Sequence, residues 1–161
     1  MKTFLFITTL FSGLVAGLLY AYSCSVNPGL KMLSNVAYIK SMQGINTAIQ
    51  NPVFFIAFMG LLLVFPVVNY QLYQQHNTVL ALMIAAMLIY MIGVFGVTIL
   101  FNVPLNNQLA KFSADAATAN ETAAMRQAFE QSWNKYHTIR TIASVASFSL
   151  VILSLMKQKI Q

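Results

Sequence analysis

The fold of this chain is decided by residues 41–110, which read SMQGINTAIQNPVFFIAFMGLLLVFPVVNYQLYQQHNTVLALMIAAMLIYMIGVFGVTILFNVPLNNQLA and contain no Asp, Glu, Lys or Arg. A soluble domain carries charged residues at about a quarter of its positions. A transmembrane helix needs about 20 apolar residues, so this stretch is long enough to cross a bilayer twice. Two crossings return the chain to its starting side. The stretch therefore predicts a helical hairpin whose two ends lie at one membrane face.

The whole composition indicates one polytopic membrane domain over residues 1–161. The chain is 58% hydrophobic and only 7% charged, with a net charge of +6. In a membrane protein such an excess reflects topology and anionic lipid, so we expect the bilayer as a partner and no nucleic acid. Cys24 is the one cysteine, which excludes an intramolecular disulfide and a site built from several thiolates.

Apolar segments predict four spans, at about residues 3–26, 51–70, 79–101 and 137–156. Asn27-Pro28-Gly29 is expected to end the first, and the polar residues from Asn102 to end the third. The predicted fold is all-α: a four-span transmembrane bundle with an interfacial amphipathic helix after span 1 and a helical extension before span 4. A cleaved signal peptide is an alternative for the first segment, although its apolar region is longer than such peptides have.

Two further helices are predicted outside the spans, on the same side of the membrane. Apolar residues recur at helical spacing over 34–50, at Val36, Ile39, Met42, Ile45 and Ile49, which indicates an amphipathic helix at the interface. Thr118-Ala-Asn-Glu121 matches a capping box, so a helix is expected to start there and to run on into span 4. Residues 17–28 and 93–104 share one Gly-to-Pro spacing, which is either a weak internal repeat or a chance similarity.

The strongest candidate site begins at Trp133. Trp133, His137 and Arg140 stand at i, i+4 and i+7, hence on one helical face at the start of span 4. An unpaired charge is costly at that depth, which favours a functional Arg140. His137 and Arg140 are therefore candidate catalytic residues, and Trp133 with the neighbouring Asn134 and Tyr136 candidate binding residues. The alternative is an interfacial aromatic belt with a snorkelling arginine.

Polar side chains from other segments are expected at the same membrane face. They are candidate substrate-binding residues, with capping of helix ends as the alternative, and for Asn51 capping is the better interpretation because it precedes Pro52. The set is Asn46, Asn51, Asn102 and Asn106. Tyr20 and Tyr22, at the exit of span 1, are candidate pocket walls at the same face, with interfacial belt residues as the alternative.

The sequence predicts no metal site and no bound cofactor. Its two histidines, His76 and His137, fall in segments on opposite sides of the membrane, and the three acidic residues fall in loops. Such a distribution does not supply the ligand number of the usual metal sites. No glycine-rich phosphate loop is present either.

Several blocks resemble the anthrone-oxygenase-like family of small integral membrane proteins, most of whose bacterial members are a domain of unknown function. The resemblance covers nearly the whole chain. It rests on Gly17-Leu-Leu-Tyr20-Ala-Tyr-Ser, Met42-Gln-Gly-Ile-Asn46, Asn51-Pro52, Gly93-Val-Phe-Gly-Val-Thr98, Asn102-Val-Pro-Leu-Asn106, Trp133-Asn134 and Arg140-Thr141.

The resemblance implies a four-span bundle that oxidises polyketide anthrones to anthraquinones with molecular oxygen and without an evident metal or flavin. On that interpretation His137 is the base, Arg140 the partner of the substrate anion and Trp133 a stacking wall, while Asn102 and Asn106 bind oxygens. The alternative is a non-catalytic protein of the bacterial inner membrane that binds a lipid, a quinone-like ligand or a partner subunit. A transporter is less favoured because the spans lack charge, and an oligomer stays possible.

Overall fold

Four of the five helices in this computed structural model are long and apolar enough to cross a membrane, which confirms the all-α four-span architecture. The structure describes residues 2–157. The spanning helices are α1 (Lys2–Lys31), α3 (Pro52–Gln74), α4 (Leu80–Ala110) and α5 (Ala119–Lys157). The fifth helix, α2 (Asn35–Ala48), is the short helix predicted after span 1.

The spanning helices form a square bundle in which α1 and α4 each pack against both α3 and α5. Large apolar side chains fill its centre, among them Phe58, Leu61 and Phe65 of α3. The Tyr90 hydroxyl on α4 donates to the Phe58 carbonyl at 2.7 Å, so this buried phenol is satisfied. Lys2 and Leu155 line one groove at the far end of the bundle. The described ends of the chain therefore lie together, as four antiparallel spans require.

Helices α1 and α4 do not end where the sequence predicted, and a widened turn explains both cases. In α1, a π-helical segment at Tyr22–Val26 precedes Pro28 and the helix continues to Lys31. In α4, a π-helical segment at Thr98–Asn102, which follows another at Tyr90–Gly96, precedes Pro104, and the helix continues to Ala110. Proline stops a helix because it lacks an N–H and clashes with the preceding turn. The widened turn puts each proline at the start of a new helical register, where the missing N–H costs little.

Helix α2 lies over one end of the bundle and is hydrogen-bonded to the end of α4 and to the segment that joins α4 to α5. Its Ser34 cap accepts from the Ala37 N–H. The Gln43 amide donates to the carbonyls of Leu109 at 2.8 Å and Phe112 at 2.9 Å. Ile39 and Met42 are buried as predicted.

The buried face of α2 is rotated from the predicted one. Val36 is 38% exposed, whereas Tyr38 is 3% exposed. Tyr38 packs edge-on against Phe129 of α5 at 6.5 Å between ring centroids. The protein surface beneath α2 therefore selects its buried face. Burial raises the pKa of the Tyr38 phenol above its usual range, and Glu130 adds to the rise.

Helix α5 is continuous over 39 residues, about 58 Å at 1.5 Å per residue, so its first half projects beyond a bilayer core of about 30 Å. The predicted capping box is confirmed. The Thr118 hydroxyl accepts from the Glu121 N–H at 3.3 Å, and the Glu121 carboxylate accepts from the Thr118 N–H at 2.8 Å.

Arg126, on the projecting half of α5, ties three segments together. Its guanidinium donates to the carbonyls of Lys31 at 3.0 Å and Leu33 at 2.7 Å, where α1 turns into α2. It also pairs with Glu130 at 2.9 Å and lies 4.5 Å over the ring of Tyr38. One side chain thus satisfies carbonyls that the end of a helix leaves without partners.

Helices α4 and α5 approach most closely beside Gly93. A β-carbon at Gly93 would lie 2.6 Å from the Ala143 β-carbon, whereas one at Gly17 would meet nothing within 4 Å. A β-carbon at Gly13 would lie 3.3 Å from the Phe148 ring, so α1 also approaches α5 closely at a glycine. The lack of a side chain at Gly93 is therefore what lets α4 contact α5 three residues from Arg140.

We predict that Gly93→Ala lowers the free energy of unfolding by about 1–3 kcal/mol, because the added methyl forces the two helices apart. The measurement is thermal unfolding of the purified protein in detergent micelles. Gly17→Ala is the matched control: its open surroundings and the better helix propensity of alanine give equal or slightly higher stability. Equal stabilities for the two variants would contradict the close approach of α4 and α5.

We also predict that Arg126→Gln destabilises the protein by about 2–3 kcal/mol, since it removes the hydrogen bonds of a charged donor to α1, α2 and Glu130. Lys40→Gln is the control, because the ion pair of Lys40 with Asp115 is exposed and such pairs contribute about 0–1 kcal/mol. The same unfolding assay compares them. A larger loss from Lys40→Gln would show that the exposed pair holds α2 in place.

Candidate functional site

An aromatic and cationic cluster lies where the π-helical segments of α1 and α4 meet the face of α5 that carries Trp133. We call Tyr22, Trp133, His137 and Arg140 the Trp133 cluster. The rings of Trp133 and His137 stack at 4.8 Å between centroids and 9° between planes. The Tyr22 ring contacts both, at 5.5 Å and 5.3 Å, and the Arg140 guanidinium lies 5.1 Å over the Trp133 ring.

The hydrogen bonds of His137 define which ring nitrogen carries the proton. The Arg140 Nε and Nη2 atoms lie 3.2 Å and 3.1 Å from Nδ1. Arginine has donors only, so Nδ1 accepts and carries no proton. Nε2 of the neutral ring then carries it and donates to the Ser23 hydroxyl at 2.9 Å. His137 is 1% exposed, and a neutral ring suits a place beside a guanidinium.

A chain of hydroxyls continues from His137 in one direction. Ser23 Oγ lies 3.2 Å from Thr141 Oγ1, and Thr141 Oγ1 donates to the His137 carbonyl at 2.8 Å. Because Ser23 Oγ accepts a hydrogen bond from the Nε2–H, its own hydroxyl hydrogen is left to donate to Thr141. Every donor in this row of hydroxyls has an acceptor, which fixes the ring of His137 in one orientation.

The pair of Ser23 and His137 does not have the polarity of a nucleophilic serine. In a Ser-His-Asp triad a carboxylate accepts from Nδ1, which leaves Nε2 free to take the proton of the serine. Here the guanidinium of Arg140 stands at Nδ1 in place of the carboxylate, so Nε2 is protonated. Ser23 is therefore a hydrogen-bond acceptor, and the arrangement does not support hydrolysis through a serine nucleophile.

Arg140 has no carboxylate partner among residues 2–157. The chain has three acidic residues; Asp115 pairs with Lys40, Glu130 with Arg126, and Glu121 with the Thr118 cap. What Arg140 contacts instead is a ring nitrogen, an aromatic face and the Thr98 hydroxyl at 3.4 Å. A cation at the start of a membrane span with only neutral partners has the chemistry of an anion-binding site.

Two of the predicted asparagines contact the Trp133 cluster. Asn106 Oδ1 accepts from the Trp133 indole N–H at 2.8 Å, and Asn102 Nδ2 donates to the Trp133 carbonyl at 3.3 Å. Asn102 is 1% exposed, and its Oδ1, like that of Asn134, is buried without a hydrogen-bond partner in the described part of the chain. These two oxygens are acceptors that a ligand hydroxyl or a water can use.

The comparison with protein families gives one match, to the family described as Anthrone oxygenase, over residues 2–150. The chain belongs to the anthrone oxygenase family. The matched region contains the whole Trp133 cluster. Comparisons with curated proteins and with solved structures found no match.

Four other residues that the sequence predicted for the site either lie away from the Trp133 cluster or have another role. Asn51 caps α3, with its Oδ1 accepting from the Phe54 N–H at 3.1 Å, so its capping interpretation is the right one. Tyr20 is 61% exposed on the outer face of α1. Tyr136 stacks on Phe101 of α4 at 4.2 Å. Asn46, on α2, has a buried Nδ2 without a partner among the described residues.

Sequence reasoning missed the hydroxyl residues around His137 and Arg140. They are Ser23, Thr98 and Thr141, and Tyr22 was left open between a belt and a pocket wall. Ser23 and Thr98 both lie inside the two segments that share the Gly-to-Pro spacing, so that spacing was the available signal. Among the described residues no group of three or more His, Cys, Asp or Glu stands close enough to hold a metal ion.

We predict that Asn106→Leu destabilises the protein by about 1–3 kcal/mol and shifts its fluorescence emission, because the buried indole N–H loses its acceptor. Trp133 is the only tryptophan, so intrinsic fluorescence reports on this site directly. Asn107→Leu, at the exposed neighbouring position, is the control and leaves the emission unchanged. An unshifted spectrum for Asn106→Leu would show that Asn106 does not bind the indole.

Proposed function

We propose that this protein is a cofactor-independent oxygenase of a bacterial plasma membrane that acts on a lipophilic aromatic substrate of the anthrone type. The observation that carries the proposal is the contact between the buried His137 imidazole and the Arg140 guanidinium, which has no carboxylate partner in the described part of the chain. One group can take a proton and the other can stabilise the negative charge left behind. The family match supports the same chemistry.

The reaction needs little from the protein beyond these two groups. An anthrone has a methylene group between two aromatic rings, opposite a ring carbonyl. Loss of one methylene proton gives an anion delocalised onto the carbonyl oxygen, and this anion reacts with molecular oxygen. Overall one CH₂ and one O₂ become one C=O and one H₂O, so no external reductant is required.

In this proposal each residue has a distinct role. His137 takes the methylene proton, and Arg140 binds the oxygen on which the charge develops. Asn102 and Asn134 accept from hydroxyl groups of the substrate through their unpaired oxygens. Trp133, which has His137 on one side and Phe129 at 6.3 Å, holds the two catalytic groups in place and does not itself stack on the substrate.

A second candidate function is non-catalytic binding of an anionic lipid or a quinone-like ligand. The observation in its favour is that the rings of Tyr22, Trp133 and His137 contact one another and leave no slot between them. An anion-binding Arg140 at the membrane face fits a lipid phosphate as well as an enolate. The two candidates differ in turnover, which the following experiment measures.

We predict that purified protein in lipid nanodiscs accelerates oxygen uptake from anthrone, and that His137→Gln and Arg140→Gln each reduce the rate by a factor of about 10²–10⁴. The measurement is an oxygen electrode reading together with the absorbance of the anthraquinone product. His76→Gln is the matched control, because His76 is exposed in the loop between α3 and α4, and it retains the wild-type rate.

Each other outcome has a defined meaning. If wild-type protein does not exceed empty nanodiscs but binds anthraquinone or anionic lipid through Arg140, the non-catalytic function replaces the proposed one. If the wild type is active and His137→Gln is equally active, the oxygenase stands and His137 is not its base.

A further inference from the structure

We propose that Nδ1 of His137 is the nitrogen that takes the proton, that Arg140 covers this nitrogen until the substrate oxygen becomes negative, and that Ser23 is a positioning residue that holds the imidazole ring. The inference rests on the proposed function and extends it to the atoms. It makes Arg140 a substrate-operated cover of the base as well as an anion partner.

The free lone pair of the His137 ring lies on Nδ1. A neutral imidazole has one nitrogen with a free lone pair and one that carries a hydrogen. Two donors from Arg140 point at Nδ1, at 3.1 Å and 3.2 Å, so the lone pair is there. Nε2 is already protonated and faces Ser23, hence it has no capacity to accept a substrate proton.

The substrate oxygen that becomes negative is what draws Arg140 away from Nδ1. Its contacts in the cluster are to neutral groups, and an oxygen that gains negative charge is a stronger acceptor than a neutral ring nitrogen. As the substrate C–H bond breaks, its electron pair delocalises onto the carbonyl oxygen and draws the guanidinium toward it. The proton forms a new N–H bond at the uncovered Nδ1. The resulting imidazolium and guanidinium are then bridged by the enolate, which offsets their repulsion.

The reaction then returns the proton. The enolate carbon forms a C–O bond to O₂, and the terminal oxygen of the resulting peroxide anion takes the proton from Nδ1. The remaining C–H bond then breaks: its proton goes to the free Nδ1, its electron pair forms the C=O bond, and the O–O bond breaks with loss of hydroxide. The hydroxide takes that second proton from Nδ1 and leaves as water. Arg140 then covers the lone pair again. His137 and Arg140 are unchanged after one turnover, and the only co-reactant is O₂.

Ser23 positions the ring whose tautomer Arg140 sets, because its hydroxyl is the nearer of two acceptors for the Nε2–H, at 2.9 Å against 3.4 Å for Thr141 Oγ1. The widened turn at Tyr22–Val26 aims the Ser23 side chain at α5, while Ser25 in the same turn stays exposed. Without the Ser23 hydroxyl the Nε2–H keeps only the longer contact to Thr141, so the ring is held less firmly for proton transfer at Nδ1. Thr141 supports this arrangement by accepting from Ser23.

The test is nitrogen NMR of histidine-labelled protein in nanodiscs, in a His76→Gln background so that His137 gives the only signal. Without ligand we expect one neutral tautomer, protonated at Nε2. Adding anthrone under nitrogen, which stops the reaction at the enolate, converts the ring to imidazolium. Ser23→Ala keeps the Nε2 tautomer, because Arg140 still donates to Nδ1, and lowers kcat roughly tenfold, the size expected for one lost hydrogen bond.

Two further variants separate positioning from general damage. Ser23→Thr keeps a hydroxyl and restores kcat, and Ser25→Ala leaves both the tautomer and kcat unchanged. A ligand-free ring protonated at Nδ1, or a ring that stays neutral while the enolate absorbance appears, overturns this inference and leaves the oxygenase intact. A wild type without oxygen uptake overturns the proposed function and this inference together.

Discussion

A guanidinium at the start of a membrane span is costly unless something compensates its charge, and the site is organised around that cost. Arg140 finds a ring nitrogen, an aromatic face and a hydroxyl, each from a different side. These partners reduce the cost without removing it, because each of them is neutral. An arginine whose charge is balanced by a carboxylate would be less costly at this depth, but it would attract a further anion less strongly. The imbalance is what makes the position suited to binding an anion.

Two of the three π-helical segments among the described residues make this arrangement possible. The π-helical segments Tyr22–Val26 and Thr98–Asn102 lie 76 positions apart, as do Gly17 from Gly93 and Pro28 from Pro104. Equivalent first residues, Tyr22 and Thr98, both contact the face of α5 that carries His137 and Arg140. The shared spacing of the sequence thus corresponds to a shared local structure. Two similar helices flank α5 and offer it different side chains, an aromatic ring from α1 and a hydroxyl from α4.

The sequence predicted the architecture well because a membrane leaves few alternatives. Charge-free length sets the spans, and the capping box at Thr118 and the cap at Asn51 are local signals that act within four residues. The ends of α1 and α4 were mispredicted because a proline signals a stop only in a regular helix, and the widened turn before Pro28 and Pro104 is a tertiary solution.

At the site, the periodicity of α5 gave Trp133, His137 and Arg140 their shared face. The partners supplied by other helices depend on rotation about the axes of α1 and α4, which no spacing rule contains. Asn106 illustrates the difference: its place near Trp133 was predictable, but its single acceptor bond to the indole was not. Ser23 shows the same limit more strongly, because a serine in an apolar span has several roles that its neighbours in sequence do not distinguish.

The closed packing of the Trp133 cluster and an enzymatic role are compatible once the hydrogen-bond polarity is considered. A base exposed permanently at a membrane face would take protons from water or from unrelated lipophilic acids. Covering the lone pair of His137 with Arg140 withholds it from such reactions, and only a ligand that develops negative charge beside Arg140 can displace the cover. Selectivity then resides in the stability of the substrate anion, with shape as a secondary contribution. A site of this kind needs no large preformed cavity, because the step that admits the proton is the movement of one side chain.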